Sequence, residues 1–197
     1  MRRSVTLLIL LILFNSCATT KISWDRIEEN NVRHIGTKGM ETKIDNATYS
    51  FSLTLFSGLH SKDYYLLISS LWRIENDCVV LIKLGNDEAI KLISNKTNVG
   101  KVDWTSYKPI IGGTTPSGIL TTEKVDYYTS IYSLTPEVLS KIEQYGILKI
   151  RIQYGNNYKE ESWSIDKLGE HIKNCHELIE LQLQKPPATL KSIEDNF

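Results

Sequence analysis

The sequence predicts a mainly β, α+β fold, in which an antiparallel β-sheet or two-layer sandwich carries one short helix and one C-terminal helix. Several short segments alternate apolar and polar residues with a period of two, as half-buried strands do, and turn-forming residues separate them. Two other segments, at about 136–145 and 166–184, repeat apolar residues every three or four positions, which is typical of amphipathic helices. Strands that follow one another without regular helical crossovers favour antiparallel pairing.

The clearest unit is a strand, a short helix and a second strand within residues 127–154. Thr135 is a suitable N-cap, and Pro136 suits the first helical position because no amide hydrogen is needed there. Gly146 follows the apolar stripe, where helices often end in a left-handed residue. The expected core positions are Tyr128, Ser130, Tyr132 and Leu134, then Val138, Leu139 and Ile142 in the helix, then Leu148, Ile150, Ile152 and Tyr154.

Before this unit the alternation predicts further strands. Residues 49–55 give one apolar and one hydroxyl-rich face, whereas residues 64–74 are apolar on both sides, which predicts a central strand. Gly85, Asn86 and Asp87 are turn formers, so the runs on either side of them form a predicted hairpin. The predicted strands outside residues 127–154 are 33–44, 49–55, 64–74, 78–84, 89–94 and 158–165.

The longest stretch without a clear period is residues 95–123. Its Gly-rich part lacks the lysine and the strand-to-helix setting of a phosphate-binding loop. Long irregular loops often carry function, so we expect either a recognition loop or a plain connection here. The candidate recognition residues are Trp104, Tyr107, Thr114, Thr115 and Ser117.

The last predicted element is a helix that Asp166 can cap. Its core stripe is Leu168, Ile172, Cys175 and Ile179, widened by Leu178 and Leu183. Pro186 and Pro187 cannot continue a helix, so residues 186–197 are expected to form a loose tail.

The N-terminus has the pattern of an export signal. Arg2 and Arg3 precede an apolar run from Val5 to Phe14, which at about ten residues is well short of the ~20 that a membrane-spanning helix needs. Residues 1–16 are therefore predicted to be a signal peptide, with a small residue, Ser16, near its end.

Residues 14–17, Phe-Asn-Ser-Cys, resemble the lipobox of bacterial lipoproteins. The resemblance implies cleavage before Cys17, a diacylglyceryl thioether on its thiol and a fatty amide such as palmitate on its new amino group. Ala18, in place of Asp, resembles an outer-membrane address. We therefore expect a lipidated tether over residues 17–32, then a single β-rich domain over 33–185. An ordinary signal peptide, with Cys17 as a bystander, is the alternative.

A second, looser resemblance covers residues 132–151. The pattern Tyr-x-Leu-Thr-Pro-Glu, which begins at Tyr132 and is followed by a helix and a strand, is similar to that of uncharacterised bacterial envelope lipoproteins. It implies a β-rich fold and brings no activity.

Composition and spacing argue against several functions. Lys and Arg together equal Asp and Glu, 23 each, without a basic block, so nucleic acid is not an expected partner. His171 and Cys175 lie one helical turn apart, but no further ligand completes a usual zinc spacing, so neither a metal nor a cofactor is predicted. No serine lies in a hydrolase elbow motif, and no catalytic residue is predicted.

Two features leave alternatives open. Cys78 and Cys175 can form a disulfide between the sheet and the last helix, or remain buried thiols, as apolar neighbours favour. Tyr65, Trp104, Tyr107 and Tyr158 can form an exposed aromatic platform, although aromatic residues at strand period usually belong to the core.

The sequence thus predicts a cell-envelope protein held to the membrane by lipid, most simply a non-enzymatic module that binds a protein or glycan. An envelope hydrolase is the alternative, and would need two carboxylates, or a serine and a histidine, in one pocket. A carrier of an apolar ligand would need a cavity between the sheet and the last helix.

Overall fold

Eleven strands and two helices make up the part of the chain that the structure, a computed structural model, describes: residues 20–28, 31–110 and 117–187. The strands are β1 Ile22–Ile27, β2 Arg33–Thr37, β3 Met40–Ile44, β4 Ala47–Ser57, β5 Lys62–Ser70, β6 Val79–Leu84, β7 Ala89–Ile93, β8 Lys96–Ile110, β9 Ser117–Leu134, β10 Ile147–Tyr154 and β11 Asn157–Ser162. Helix α1, Pro136–Tyr145, joins β9 to β10, and helix α2, Leu168–Leu183, follows β11.

The strands form two antiparallel sheets. The larger has the order β1-β2-β4-β5-β9-β8, and β3 also pairs with β4. Because β2 pairs with the second half of β4 and β3 with its first half, one long strand carries two short partners along the same edge. The smaller sheet has the order β11-β10-β6-β7. The predicted mainly β fold with two helices is confirmed.

One buried apolar cluster contains side chains of both sheets and both helices, and its members lie between Ile35 and Ile179. In β4 the predicted alternation is observed, since Tyr49, Phe51, Leu53 and Leu55 are buried while Ser50 and Ser52 of the other face are half-buried. Helix α2 packs on β2 and β4, and α1 contacts α2, β6 and β9. The described residues therefore contain their own core.

The predicted capping residues of both helices, Thr135 and Asp166, accept the expected hydrogen bonds. The Val138 amide donates to Thr135 Oγ1 at 3.2 Å, and Gly146 ends α1 with a φ of 68°. Helix α2 begins at Leu168, two residues later than predicted, but the Asp166 carboxylate accepts the Gly169 amide of its first turn at 2.7 Å. The predicted stripe of α2 is buried.

Some strand predictions were wrong in detail. The single strand predicted over 33–44 is two strands, β2 and β3, and each pairs with a different half of β4. The pairing of β10 with β6 shifts register between Ile147 and Lys149, a bulge that puts Ile147 in the core and leaves the predicted Leu148 half-buried. The strand predicted over 64–74 ends at Ser70, so Trp72 lies beyond it, more than half exposed.

The segment predicted to be a tether is in part a strand. Ile22–Ile27 forms β1, which pairs along β2 at the edge of the larger sheet. Strand β1 was not apparent from the sequence, because its residues are half-buried or exposed and therefore show no clear apolar pattern. Residues 1–19 and 188–197, which include Cys17 and most of the predicted tail, lie outside the described residues.

The prediction of an irregular stretch over 95–123 was wrong. Strands β8 and β9 pair from Lys96 opposite Ile131 to Ile110 opposite Ser117, and form the longest hairpin of the described chain. Only the part of β9 from Tyr128 onward also pairs with β5. We call residues 100–110 and 117–127 the arm, a two-stranded ribbon with no third strand among the described residues.

Candidate functional site

The arm extends well past the sheet that it continues. Its eleven residue pairs, from Gly100 opposite Tyr127 to Ile110 opposite Ser117, span roughly 35 Å at about 3.3 Å per residue. Oppositely charged residues face each other across it, Lys101 opposite Asp126 and Asp103 opposite Lys124, and such pairs favour this register. The other face of the arm carries Val102 and Trp104.

A groove of about 500 Å³ lies between this second face and the sheet. The strand register explains which side chains line this groove. Residues directly opposite each other in antiparallel strands share a face. The side chains of Tyr127, Val102 and Trp104 therefore project on the same side of the sheet as the outward residues of β4 and β5. The described residues that line the groove are Glu41, Asn46, Thr48, Ser50, Ser69, Ser70, Leu71, Trp72, Val102, Trp104 and Tyr127.

Two tryptophans stand in this groove with large exposed surfaces. Trp72 is 55% exposed and Trp104 is 48% exposed, although each indole could bury more apolar area than any other side chain. Hydroxyl groups of β4 and β5 form the floor between them. Apolar walls around a few polar groups, in a volume of this size, are the usual properties of a ligand site. We call it the Trp72–Trp104 groove.

Trp72 is held in place from two sides. Its amide donates to Ser70 Oγ at 3.0 Å, and the Ser70 hydroxyl donates to the Thr48 carbonyl at 2.8 Å. The Lys159 ammonium lies 4.8 Å from the centre of the indole ring, a cation–π contact. Lys159 in turn donates to the Asp45 carbonyl at 3.3 Å. The hydrogen bond thus holds the main chain at Trp72, and the cation–π contact lies against its ring, while more than half of the residue stays exposed.

The structure places the predicted recognition residues as follows. Trp104 and Tyr107 lie in β8, Ser117 begins β9, and Thr114 and Thr115 lie outside the described residues. Trp104 reaches the groove. Sequence reasoning missed Trp72 and Tyr127. Ile74 continues the apolar alternation from Trp72, which predicts a buried strand there, and Tyr127 reaches the groove only through the pairing of β9 with β8.

The predicted aromatic platform is not assembled from the four residues named for it. Tyr65 packs edge-on against Phe56, with ring centres 5.1 Å apart. Tyr158, on β11 of the smaller sheet, lies under the Arg151 guanidinium at 4.4 Å. Trp104 is instead joined in the groove by Trp72 and Tyr127.

His171 and Cys175 are structural. The His171 Nε2 atom lies 3.1 Å from the Phe51 carbonyl oxygen, to which it must donate, and 3.4 Å from Cys175 Sγ. Burial lowers the pKa of His171. Because Nε2 carries the hydrogen that the Phe51 carbonyl accepts, this nitrogen cannot bind a metal. Among the described residues no group of three metal-binding side chains is present.

Both described cysteines are free and buried. Cys78 precedes β6, whereas Cys175 lies on α2, and burial raises the pKa of each thiol. Of the two alternatives that the sequence leaves open, the structure has the pair of buried thiols.

A cluster of ionisable groups joins α1, α2 and β5. His176 Nδ1 lies 2.5 Å from Glu143 Oε1, and its other nitrogen lies 4.0 Å from Glu180. The Glu180 carboxylate accepts hydrogen bonds from Tyr64 and Lys62. Two carboxylates, Glu143 and Glu180, thus lie on either side of His176, and a hydrolase would require such a pair in a pocket. Side chains of the protein already bind both of them, and neither lines the Trp72–Trp104 groove.

No helix of the described residues is both long and apolar enough to cross a membrane. The chain matches no family model, and comparison with curated proteins and with solved structures finds no match either.

Proposed function

We propose that this protein is a non-enzymatic binding module of the bacterial cell envelope, which is anchored by lipid at Cys17 and holds its ligand in the Trp72–Trp104 groove. The observation that carries the binding role is the pair of exposed tryptophans, because leaving two indoles in water is costly unless a partner covers them. The contacts of Trp72 support it, since a residue whose main chain is hydrogen-bonded and whose ring already contacts Lys159 loses less entropy on binding.

The anchor is supported by the sequence. A basic start, a short apolar run and Cys17 after a small residue resemble a lipobox, and Ala18 resembles an outer-membrane address. With two or three acyl chains at ~0.8 kcal/mol per buried methylene, the attachment would be effectively permanent. The groove would then work at the membrane surface.

Retention on envelope material tests the binding role. Residues 18–197, which include every described element, are mixed with insoluble envelope fragments of the bacterium that makes the protein, and the bound fraction is measured after sedimentation. We expect Trp72→Ala and Trp104→Ala each to weaken retention by about 2 kcal/mol or more, as truncated tryptophan anchors do. Tyr158→Ala, an equally exposed aromatic residue outside the groove, is the matched control. Equal retention of all four proteins would refute a binding role for the groove.

Acylation is tested separately in cells. We expect Cys17→Ser to abolish labelling with a palmitate analogue and to move the protein out of the detergent phase, whereas Cys175→Ala keeps the label. A Cys17→Ser protein that is labelled as strongly as the parent would exclude the anchor but would leave the groove untouched.

A further inference from the structure

The groove has a regular polar floor. Five residues lie directly opposite one another on five neighbouring strands and project on the outer face of the larger sheet. In order across the sheet they are Glu41 of β3, Ser50 of β4, Ser69 of β5, Thr129 of β9 and Asn98 of β8. We call them the polar row. Three of them line the groove, and the Ser69 and Thr129 hydroxyls are hydrogen-bonded at 2.9 Å.

The spacing of the polar row is set by the sheet. Neighbouring strands lie about 4.8 Å apart, so the row presents one carboxylate, hydroxyl or amide at each step over roughly 19 Å. This step is close to the repeat of one sugar ring along an extended glycan chain. A chain that crosses the strands at right angles would therefore meet a hydrogen-bonding side chain at every ring.

The charges in the groove restrict the ligand further. None of the described lining residues is a lysine, arginine or histidine, and Glu41 is the one carboxylate among them. Lys159 lies beside Trp72, but its ammonium is already paired with the Asp45 carboxylate, 3.6 Å away. A groove whose lining residues include one carboxylate and no cation disfavours phosphate groups and uronic acids. The ligand is expected to be neutral.

A peptide fits this face less well than a sugar. Extended peptides gain most of their affinity by pairing backbone groups with an open strand edge. At the floor of the groove, however, β4 and β5 lie inside the sheet, and their backbone groups are already paired on both sides. This floor offers side-chain hydroxyls, which both donate and accept, between indole faces on which the apolar face of a pyranose ring can stack.

We propose that the ligand of the Trp72–Trp104 groove is a neutral polysaccharide, with sugar rings stacked on Trp72 and Trp104 and hydroxyls hydrogen-bonded to Glu41, Ser50 and Ser69. This inference rests on the proposed function, and names the class of ligand for the same groove. Its direction follows from the row: the chain lies across the strands.

The test uses residues 18–197 and a panel of soluble oligosaccharides. The neutral members are one- to six-ring oligomers of glucose (α- and β-linked), mannose, xylose and N-acetylglucosamine; the comparison ligands are a six-ring galacturonate and an uncharged ten-residue peptide. Binding is measured by calorimetry and by tryptophan fluorescence. We expect at least one neutral series to bind, with affinity that rises with each ring up to about four and then levels off, because the row is roughly 19 Å long.

Variants locate the binding. Trp72→Ala and Trp104→Ala should each weaken binding of the best neutral hexasaccharide at least tenfold, and Glu41→Gln about threefold or more. Trp72→Phe and Trp104→Phe should restore part of it, which separates loss of stacking from misfolding. Tyr158→Ala should bind as the parent does, and thermal unfolding of each variant verifies its fold.

The outcomes separate the two proposals. If no neutral oligosaccharide binds at millimolar concentration, the proposed polysaccharide ligand is wrong. It is also wrong if a neutral oligosaccharide binds but neither tryptophan variant weakens that binding. If envelope retention still depends on both tryptophans while the galacturonate or the peptide binds, the groove is a binding site for another class of ligand. If retention is also independent of them, the proposed function fails as well.

Discussion

Among the charged side chains of the described residues, that of Arg33 makes the most hydrogen bonds. Its Nε and Nη2 atoms donate to the two oxygens of Asp25 at 2.9 and 2.7 Å, and Nη1 donates to the Lys185 carbonyl at 2.9 Å, just past the end of α2. Nη2 also donates to the Gln182 carbonyl at 3.1 Å, and Nη1 to the Leu183 carbonyl at 3.4 Å. A cation here satisfies carbonyls that the helix leaves free and matches the negative end of its dipole. One residue thus joins β1, β2 and α2.

Removing Arg33 should destabilise the protein strongly. The side chains of Arg33 and Asp25 are 11% and 6% exposed, so Arg33→Met would leave a buried carboxylate without its cation and lower the free energy of unfolding by about 3–5 kcal/mol. Arg26→Met is the matched control: its pair with Glu28 is 62% and 42% exposed, and should contribute about 0–1 kcal/mol. Urea unfolding of both variants measures the difference, and equal losses would contradict it.

His171 should make stability depend on pH near neutrality. Burial lowers the pKa of His171, and burial also lowers that of His34. In the unfolded chain both imidazoles protonate as pH falls below about 6.5. In the folded chain they protonate only at lower pH, so the unfolded state binds more protons. The free energy of unfolding therefore declines as pH falls.

The decline contributed by each histidine is at most about 1.4 kcal/mol per unit of pKa lowering. His171→Gln keeps a donor for the Phe51 carbonyl but cannot titrate, so its loss of stability between pH 7.5 and 5.5 should be smaller than that of the parent. Urea unfolding at several pH values measures this. A variant with the same pH slope as the parent would show that folding does not lower the pKa of His171.

At the scale of elements, the end of α1 and the start of α2 are built against each other. Gly146 ends α1 with φ 68° and ψ 177°, a region almost restricted to glycine, and its amide donates to the Ile142 carbonyl at 2.9 Å. A Cβ atom at Gly146 would lie 2.3 Å from Asp166 Oδ2, the carboxylate that caps α2. One glycine therefore serves the end of one helix and the cap of the next.

Gly146→Ala should cost more than a substitution at another glycine with positive φ. The backbone strain at Gly146 is about 1–3 kcal/mol, and overlap with Asp166 adds about 1–3 kcal/mol. Gly155 has φ 55° but nothing within 4 Å of a Cβ, so Gly155→Ala should show the strain alone. Thermal unfolding compares the two; a Gly155 variant that loses as much as the Gly146 variant would mean that Asp166 moves aside at no cost.

The sequence predicted well those elements in which apolar residues recur with a clear period. The caps of α1, the stripe of α2 and the two faces of β4 follow from residue spacing, because each element buries one face in a core. Sequence patterns failed to predict β1 and the arm. The strands of both bury few side chains in the core, so their apolar residues, such as Val102 and Trp104, alternate with polar ones over only a few positions. Pairing with a partner strand decides their structure instead.

The groove was predictable only in part for the same reason. Trp104 was a candidate because it lies in the stretch without a clear period, but the juxtaposition with Trp72 depends on pairings between β4, β5, β8 and β9. Register across three strand pairs cannot be read from local spacing. The hydroxyl-rich face of β4, by contrast, was visible in the sequence, and it forms part of the floor.

At the scale of the whole molecule, the arm and the core are separable. The buried cluster contains side chains from both sheets and both helices, but none of its members or packed neighbours among the described residues lies in the arm. The exposed Val102 and Trp104 face the groove. The fold thus joins a body that contains the core to a ribbon that contributes a wall of the Trp72–Trp104 groove.

Shortening the arm should therefore separate stability from binding. In the variant, an Asn-Gly turn replaces residues 102–125 and connects Lys101 to Asp126, which already face each other across the hairpin. Since no core side chain is removed, the free energy of unfolding should change by less than about 1 kcal/mol, while retention on envelope material should fall at least as far as in Trp104→Ala. Chemical unfolding and sedimentation measure the two effects. A loss of several kcal/mol would mean that the arm is part of the folded body, and full retention would mean that the ligand needs only the face of the sheet.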